Sequence, residues 1–362
     1  MFALGSPQPG VANEFNQLVR GVSLSRDAWR RLRKNRMAVA SMVVVAVYIL
    51  VALLAPVLPI HSYTKIILDH QNLPPSFTRT AGELLAAKTE AQLKAVASRQ
   101  GRPQLNDEER KKLAELQGRI RDETAEIAGK VVRVHERRYL LGTDYHGRDM
   151  LARIVYGSQI SIAVGLVGTL TSVLIGVIVG SVAGYFGGRT DYVITRIIDV
   201  MYGLPYMLMV IIFMAIFGRS IINLFVALSL VSWLTTARVV RGQIISLKQG
   251  EFVEAARSIG AGTTRIIFRH LLPNTLGIII VYSTLRIPSF IMQEAFLSFL
   301  GLGLSAPFAS WGTLVGDAVE GMSLYPWQLF FPGLAMTLFL FAMNFLGDGL
   351  RDAFDPQSKN RL

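Results

Sequence analysis

Two sets of residues in this chain could do chemistry. The first is a hydrophilic stretch, Glu251-Phe-Val-Glu-Ala-Ala-Arg-Ser-Ile-Gly260, running on to Leu272-Pro273-Asn274 between two apolar runs. Glu251 to Ile259 can form a short helix, and Gly260 permits a sharp turn after it. Residues 263–271 supply a second short helix before Pro273 resets the chain. Phe252, Ala255, Ala256 and Ile259 give the first helix a small apolar surface, and the paired alanines let a groove on another protein approach closely. The chemistry here is docking, a place where a soluble partner could push on the chain. The competing reading is an amphipathic helix lying on lipid headgroups. The second set is Arg286, Glu294 and Asp199, ionisable groups inside or beside apolar runs. A charge in lipid is costly, so each is a candidate for a polar translocation path or gate. Each could equally tie one helix to another, or mark a helix end that reaches water.

Other chemistry is excluded. The chain has no cysteine, which rules out disulfides, thiolate nucleophiles and cysteine metal sites. It lacks a Gly-x-x-x-x-Gly-Lys-Ser/Thr phosphate loop and a His-Glu-x-x-His pair, so neither ATP hydrolysis by that route nor a zinc protease is expected. His61, His70, His135, His146 and His270 all lie outside the deep parts of the apolar runs. An enzyme is not expected, and no metal or cofactor of the chain's own.

These residues sit on a hydrophobic scaffold. Of 362 residues 51% are hydrophobic, and mean hydropathy is +0.41. Those values indicate a membrane protein. The net charge of +12 collects beside apolar runs, which the positive-inside rule explains without nucleic acid. A helix needs about 20 apolar residues to cross the bilayer. Six runs qualify: Met37–Pro59, Ile160–Tyr185, Ile197–Phe217, Ile221–Ala237, Thr275–Leu302 and Leu324–Leu346. The expectation is an all-α membrane protein with six transmembrane helices. Gly187 to Asp191 turns the chain between the second and third, and Gly218-Arg219 separates the third from the fourth. Pro205, Pro288, Pro326 and Pro332 punctuate the spans, and Gly176, Gly180 and Gly184 form overlapping small-xxx-small pairs suited to close helix packing.

Arg20, Arg26, Arg30, Arg31, Arg33, Lys34 and Arg36 precede the first span against only Glu14 and Asp27, which places the N-terminus in the cytoplasm. The 238–270 loop, with Arg238, Arg241, Lys248, Arg257, Arg265 and Arg269, falls on the same side, as do Arg351, Lys359 and Arg361. The division that follows is a cytoplasmic segment 1–36, a first helix 37–59, an external connection 60–158, a five-helix core 159–352 holding the loop 238–274, and a cytoplasmic tail 353–362. The external connection carries a helical hairpin at about 81–130, read as Ala81–Gln100 and Asp107–Ile127 joined by Gly101-Arg102-Pro103, with Asn106 as an N-cap. Leu113, Leu116 and Ile120 share a face that suits packing on the first span. The hairpin is either a solvated spacer or an external cap.

Glu254-Ala255-Ala256-x3-Gly260, followed by Leu272-Pro273, resembles the coupling-loop motif of permease subunits in ABC importers. The Arg269-His-x-Leu-Pro-Asn274 run is similar to the peptide-transport branch. Leu141-Gly-Thr-Asp-Tyr-His-Gly-Arg-Asp149, with Arg153 and Tyr156-Gly157, looks like the stretch ahead of the second span in dipeptide/oligopeptide permeases. Gly184-Tyr-Phe-Gly-Gly188 with Asp191, Phe299-Leu-Gly-Leu-Gly303, Leu346-Gly-Asp-Gly-Leu-Arg-Asp352 and Phe354-Asp-Pro356 are similar to the second permease subunit of that peptide, opine and nickel family. The resemblance implies a type I ABC importer permease fold in a bacterial or archaeal inner membrane, with a cytoplasmic coupling helix. It implies a homologous second permease subunit, two cytoplasmic ATPase subunits that bind the ATP, and an external substrate-binding protein. Glu254, Ala255, Ala256, Gly260, Leu272 and Pro273 become the coupling residues. The 80–135 stretch is longer than the family's usual loop, and Arg286 is a charge the family does not lead one to expect. The alternatives are a permease for a non-peptide solute such as nickel or an opine, and a stand-alone ion-coupled transporter with Glu294 as its titrating group.

Overall fold

The computed structural model describes residues 24–127 and 130–354. Arg20, Glu14, Lys359, Arg361 and the Asp355-Pro356 ending lie outside the described residues. Helix α1 (Leu24–Leu32) precedes α2 (Arg36–Leu54), which Asn35 caps by accepting from the Ala38 N–H at 3.2 Å. Then come α3 (Ala81–Arg99), α4 (Asp107–Asp122) and a two-stranded antiparallel hairpin, β1 (Thr124–Ile127) and β2 (Lys130–Arg133). The remainder is helical: α5 (Met150–Phe186), α6 (Gly188–Tyr202), α7 (Tyr206–Phe217), α8 (Ile221–Leu247), α9 (Glu251–Ser258), α10 (Thr263–Ile266), α11 (Leu272–Phe299), α12 (Trp311–Ala318) and α13 (Trp327–Phe354).

Five stretches are long and apolar enough to cross a membrane, namely α2, α5, α8, residues 263–299 and α13, and the α6–α7 pair makes a sixth if counted as one broken span. The expected third span, Ile197–Phe217, is therefore corrected: it is two helices bent by 79°. Pro205 has no N–H for the helix ladder and disfavours helical backbone at Leu204, so the helix stops at Tyr202 and restarts at Tyr206. The first span stops at Leu54 rather than Pro59, whereas α5 and α8 outrun their apolar cores. Helix α5 begins at Met150, where the Asp149 carboxylate accepts from the Leu151 N–H at 2.9 Å. Helix α8 continues to Leu247 because its basic residues find partners: Arg238 donates to Asp199 at 2.9 Å, and Arg241 grips both oxygens of Asp191.

The α5–α8 contact is the most extensive in the bundle. A Cβ on Gly176 would lie 2.5 Å from Thr236 Cβ, one on Gly180 2.5 Å from the Ala237 carbonyl, and one on Gly184 2.8 Å from the Arg241 carbonyl. The small-xxx-small row is thus a groove that admits the α8 backbone. Ser172 Oγ donates to the Ser232 carbonyl at 2.9 Å within the same seam.

Helix α1, expected only as basic leader, packs on α13 through Ala28, Leu32 and Ala353. Helix α12 occupies what the sequence offered as a loop. Its Trp311 is fully buried beside Tyr48 and Phe339, with ring centroids 5.6 and 5.4 Å away.

In the 60–149 segment, Asn106 and Glu109 form the capping box of α4, as the N-cap reading expected. Two expectations are corrected here. The second hairpin helix ends at Asp122 rather than Ile127, and Thr124 to Ile127 form a strand, as suits β-branched residues. The half-buried face of Leu113, Leu116 and Ile120 belongs to a helix packed on α3, and Ile120 approaches Gly82 there. A buried relay anchors the layer: His70 Nδ1 lies 2.8 Å from the Tyr139 hydroxyl and His70 Nε2 lies 2.9 Å from His135 Nδ1.

Gly180→Val should weaken the α5–α8 seam by roughly 1–3 kcal/mol through overpacking. Gly242→Val, whose Cβ direction is open, should not. Thermal unfolding of the detergent-solubilised variants checks this, and equal melting temperatures would refute the groove. Burial, then the charges of His135, Arg137 and His61, hold the His70 pKa at about 3 against an ordinary 6.5. The unfolded chain therefore takes up this proton first. The contribution is complete above about pH 6.5 and is lost progressively as pH falls toward about 3. Hydrogen exchange in 68–139, corrected for intrinsic rates, should rise across that window. Flat protection would show that the relay does not carry the layer.

Candidate functional site

Helix α9 sits at the end of α8 and is held by one face. Val253 is buried against Val240, Ile244, Ile266, Ile267 and Leu271, and Ala256 is buried on the same side of the helix. Glu254, Ala255 and Ile259 face outward, Ile259 being 84% exposed, and Phe252 is 40% exposed beside them. The expected docking surface is thereby revised. Of the paired alanines only Ala255 is presented, and Ala256 is buried on the inner face of α9.

The helix ends in a Schellman arrangement. The Ala261 N–H donates to the Ala256 carbonyl at 3.0 Å, and the Gly260 N–H to the Arg257 carbonyl at 2.9 Å. Gly260 has φ +82 and open space where a Cβ would be, so backbone conformation alone requires glycine there. Glu251 and Glu254 lie in the first turn and Arg257 in the last, each complementing the helix dipole.

Beyond α10 the backbone widens into a π turn, Ile267–Leu271, before α11. Pro273 sits in the first turn of α11, where its ring would press on the Arg269 carbonyl in an ordinary α-helix. The wider turn relieves that contact. Asn274 Nδ2 donates to the His270 carbonyl at 2.6 Å. Leu272 is half-buried against the cluster that holds α9, and Pro273 is exposed. The coupling residues named from the sequence thus form one local unit, with Glu254, Ala255, Gly260 and Pro273 on its surface.

Arg286 and Glu294 are separated in role. Glu294 is fully buried within the chain, with Oε1 accepting from Ser310 at 2.6 Å and from Ser298 at 2.8 Å. Ser310 is the N-cap of α12, so Glu294 ties that short helix to α11. Arg286 is half-buried and donates to the Ser232 carbonyl of α8 at 2.5 Å. Nearby, the Tyr206 hydroxyl donates to Gln293 Oε1 at 2.7 Å, at the α6–α7 break. Asp199 pairs with Arg238 at 2.9 Å, which links α6 to α8.

One network lay unread in the sequence beyond its family likeness. Asp144 accepts from Arg148 Nε at 2.7 Å and Arg153 at 2.6 Å, and from the backbone N–H groups of His146 and Arg148 at 2.8 and 2.9 Å. Arg153 also lies 3.7 Å from Asp317. These buried charges fix the entry of α5 against α12. The only sequence signal was the density of Asp and Arg just before an apolar run.

The family described as "Binding-protein-dependent transport system inner membrane component" matches residues 176–360, and the "N-terminal TM domain of oligopeptide transport permease C" matches 23–75. The chain belongs to this family of permeases. It is a multi-pass inner-membrane transporter subunit. The dipeptide transport system permease protein DppC of Bacillus subtilis (strain 168) is 40% identical over 337 residues, covering 93% of this permease and 87% of that chain. The oligopeptide transport system permease protein OppC of the same organism is 33% identical over 357 residues, covering 99% and 97%. That match therefore runs through the 81–130 segment. OppC of Haemophilus influenzae is 46% identical over 221 residues, covering 61% of this permease and 71% of that chain. A chain of the MetNI methionine ABC transporter in inward-facing conformations has a TM-score of 0.47 at 17% identity, covering 56% of this permease and 97% of that chain.

Ala256→Leu should overpack the buried inner face of α9 and cost roughly 1–3 kcal/mol, whereas Ala255→Leu, at an exposed position, should leave the fold intact. Hydrogen exchange over 251–261 separates the two. Equal protection in both variants would overturn the assignment of inner and outer faces.

Proposed function

We propose that this permease is one half of the translocation pathway of an ATP-driven peptide importer. Its substrate arrives on an external binding protein, and its motion is driven through α9 by cytoplasmic ATPase subunits. The observation that supports this most is the joining of two facts: relatives named dipeptide and oligopeptide permeases match nearly the whole chain, and α9 offers an outward face of Glu254, Ala255 and Ile259. The N-terminus, the α8–α11 loop and the C-terminus lie in the cytoplasm, on the strength of Arg26, Arg30, Arg31, Arg33, Lys34 and the basic loop. ATP binds to the partner subunits, and this chain supplies no ATPase site. A homologous second permease completes the pathway.

The mechanism is alternating access. Closure of the ATPases moves α9, and because α9 is packed on α8 and on the turn before α11, that motion passes into both helices as a rigid displacement. The Arg241–Asp191 pair and Lys248, which donates to the Gly184 carbonyl at 2.9 Å, extend the rigid unit to α5 and α6. Glu294, the titrating group of an ion-coupled alternative, is enclosed by two serines instead, which favours the ATP-driven reading.

Affinity purification from native membranes in mild detergent should recover a second permease and P-loop ATPases. A stable chain recovered alone would favour the ion-driven alternative. In the reconstituted complex, Glu254→Arg should assemble normally yet abolish most stimulation of ATP hydrolysis by loaded binding protein. Normal stimulation would remove α9 from the coupling path.

A further inference from the structure

Where α4 ends, three ligand-capable side chains from separate turns converge. Asp69 comes from the turn Leu68–His70, Glu123 from the C-cap of α4, and His135 from the turn Val134–Glu136. Their ligand atoms lie within 4.8 Å of one another. His135 is buried, Asp69 half-buried and Glu123 exposed, so an imidazole backs a cleft whose carboxylate side opens to solvent. We propose that this cluster binds a divalent first-row cation, zinc foremost, through His135 Nε2 and the carboxylates of Glu123 and Asp69. The proposal does not rest on the transport reading.

The groups behind His135 carry the argument. A metal-bound histidine needs its second ring nitrogen to donate to a fixed acceptor, which sets the tautomer and the ring orientation. Here His135 Nδ1 lies 2.9 Å from His70 Nε2, and His70 Nδ1 lies 2.8 Å from the Tyr139 hydroxyl. A neutral imidazole has one N–H and one lone pair, so this chain can be polarised in only two directions. In the first, Tyr139 donates to His70, His70 donates to His135, and His135 Nε2–H donates to Glu123 at 3.2 Å. In the second, His135 Nδ1–H donates to His70, and His70 Nδ1–H donates to the Tyr139 oxygen. His135 Nε2 then turns a lone pair toward two carboxylates, which calls for a cation between them. The exchange shifts tautomers and takes up or releases no net proton.

Charge balance identifies the competitor. Two carboxylates around a neutral imidazole carry two negative charges. Arg119 answers part of this, lying 2.7 Å from Asp69 and 3.8 Å from Glu123. Its side chain is 59% exposed and can withdraw into solvent. Arg119 thus holds the carboxylates together until a dication replaces it. One nitrogen and two carboxylates suit zinc and leave a fourth position for water. Binding there would staple the end of α4 to both neighbouring turns and stiffen the 81–122 hairpin.

The test uses the full-length chain in detergent, equilibrated with zinc, dialysed, and measured for bound zinc and affinity. The expected result is one zinc per chain. Glu123→Gln, at an exposed position that leaves the fold undisturbed, should weaken binding by about tenfold or more. Arg119→Gln should tighten it by removing the competing cation. Substoichiometric zinc in the wild-type chain, or wild-type affinity in Glu123→Gln, would overturn the proposal. Weaker binding in Arg119→Gln would do the same, since it would make the arginine part of the site.

Discussion

The close approach of α5 and α8 is the contact on which the rest of this permease depends. In lipid there is no hydrophobic gain from bringing two apolar helices together, so packing and hydrogen bonds must do it. Gly176, Gly180 and Gly184 remove side chains along one line, and the α8 backbone occupies the space. Ser172 and Lys248 then reach α8 and α5 carbonyls from within or beside the seam. The end of α8 leads into α9, so the position of the outward face of α9 follows from a contact made deep in the bundle.

Buried polar groups hold the places where regular helix gives way. Asp144 with Arg148 and Arg153 fixes the start of α5. Glu294 with Ser310 fixes the start of α12. Arg241 with Asp191 and Arg238 with Asp199 fix the broken α6–α7 pair against α8. Helix starts present unpaired N–H groups and irregular turns expose carbonyls, and neither is tolerated in a bundle without a partner. These paired charges therefore gather where the helix ladder is interrupted, whereas Arg286 in mid-α11 reaches the Ser232 carbonyl of α8.

The candidate coupling unit follows the same logic at the surface. Helix α9 is short, and its own hydrogen bonds could not keep it folded. Val253 and Ala256 anchor it, the Gly260 turn closes it, and the π turn before Pro273 returns the chain to α11 without a break. What remains outward is a compact patch of Glu254, Ala255 and Ile259.

Much was legible in the residues themselves. Hydropathy marked the spans because lipid demands about 20 apolar residues in a row, and Asn106 marked its helix start because an N-cap is a local device. The turn at Gly260 was legible because it needs glycine at a positive φ. The bend at Pro205 was signalled, though its 79° angle was not, since proline dictates a break but neighbours set the direction. The sequence could not say that Ala256 faces inward and Ala255 outward, that Glu294 meets the N-cap of α12, or that Asp69, Glu123 and His135 meet. Each of those facts depends on which distant backbone lies alongside. Local propensity and charge reach only a few residues along a chain, whereas burial and pairing are decided by packing across it.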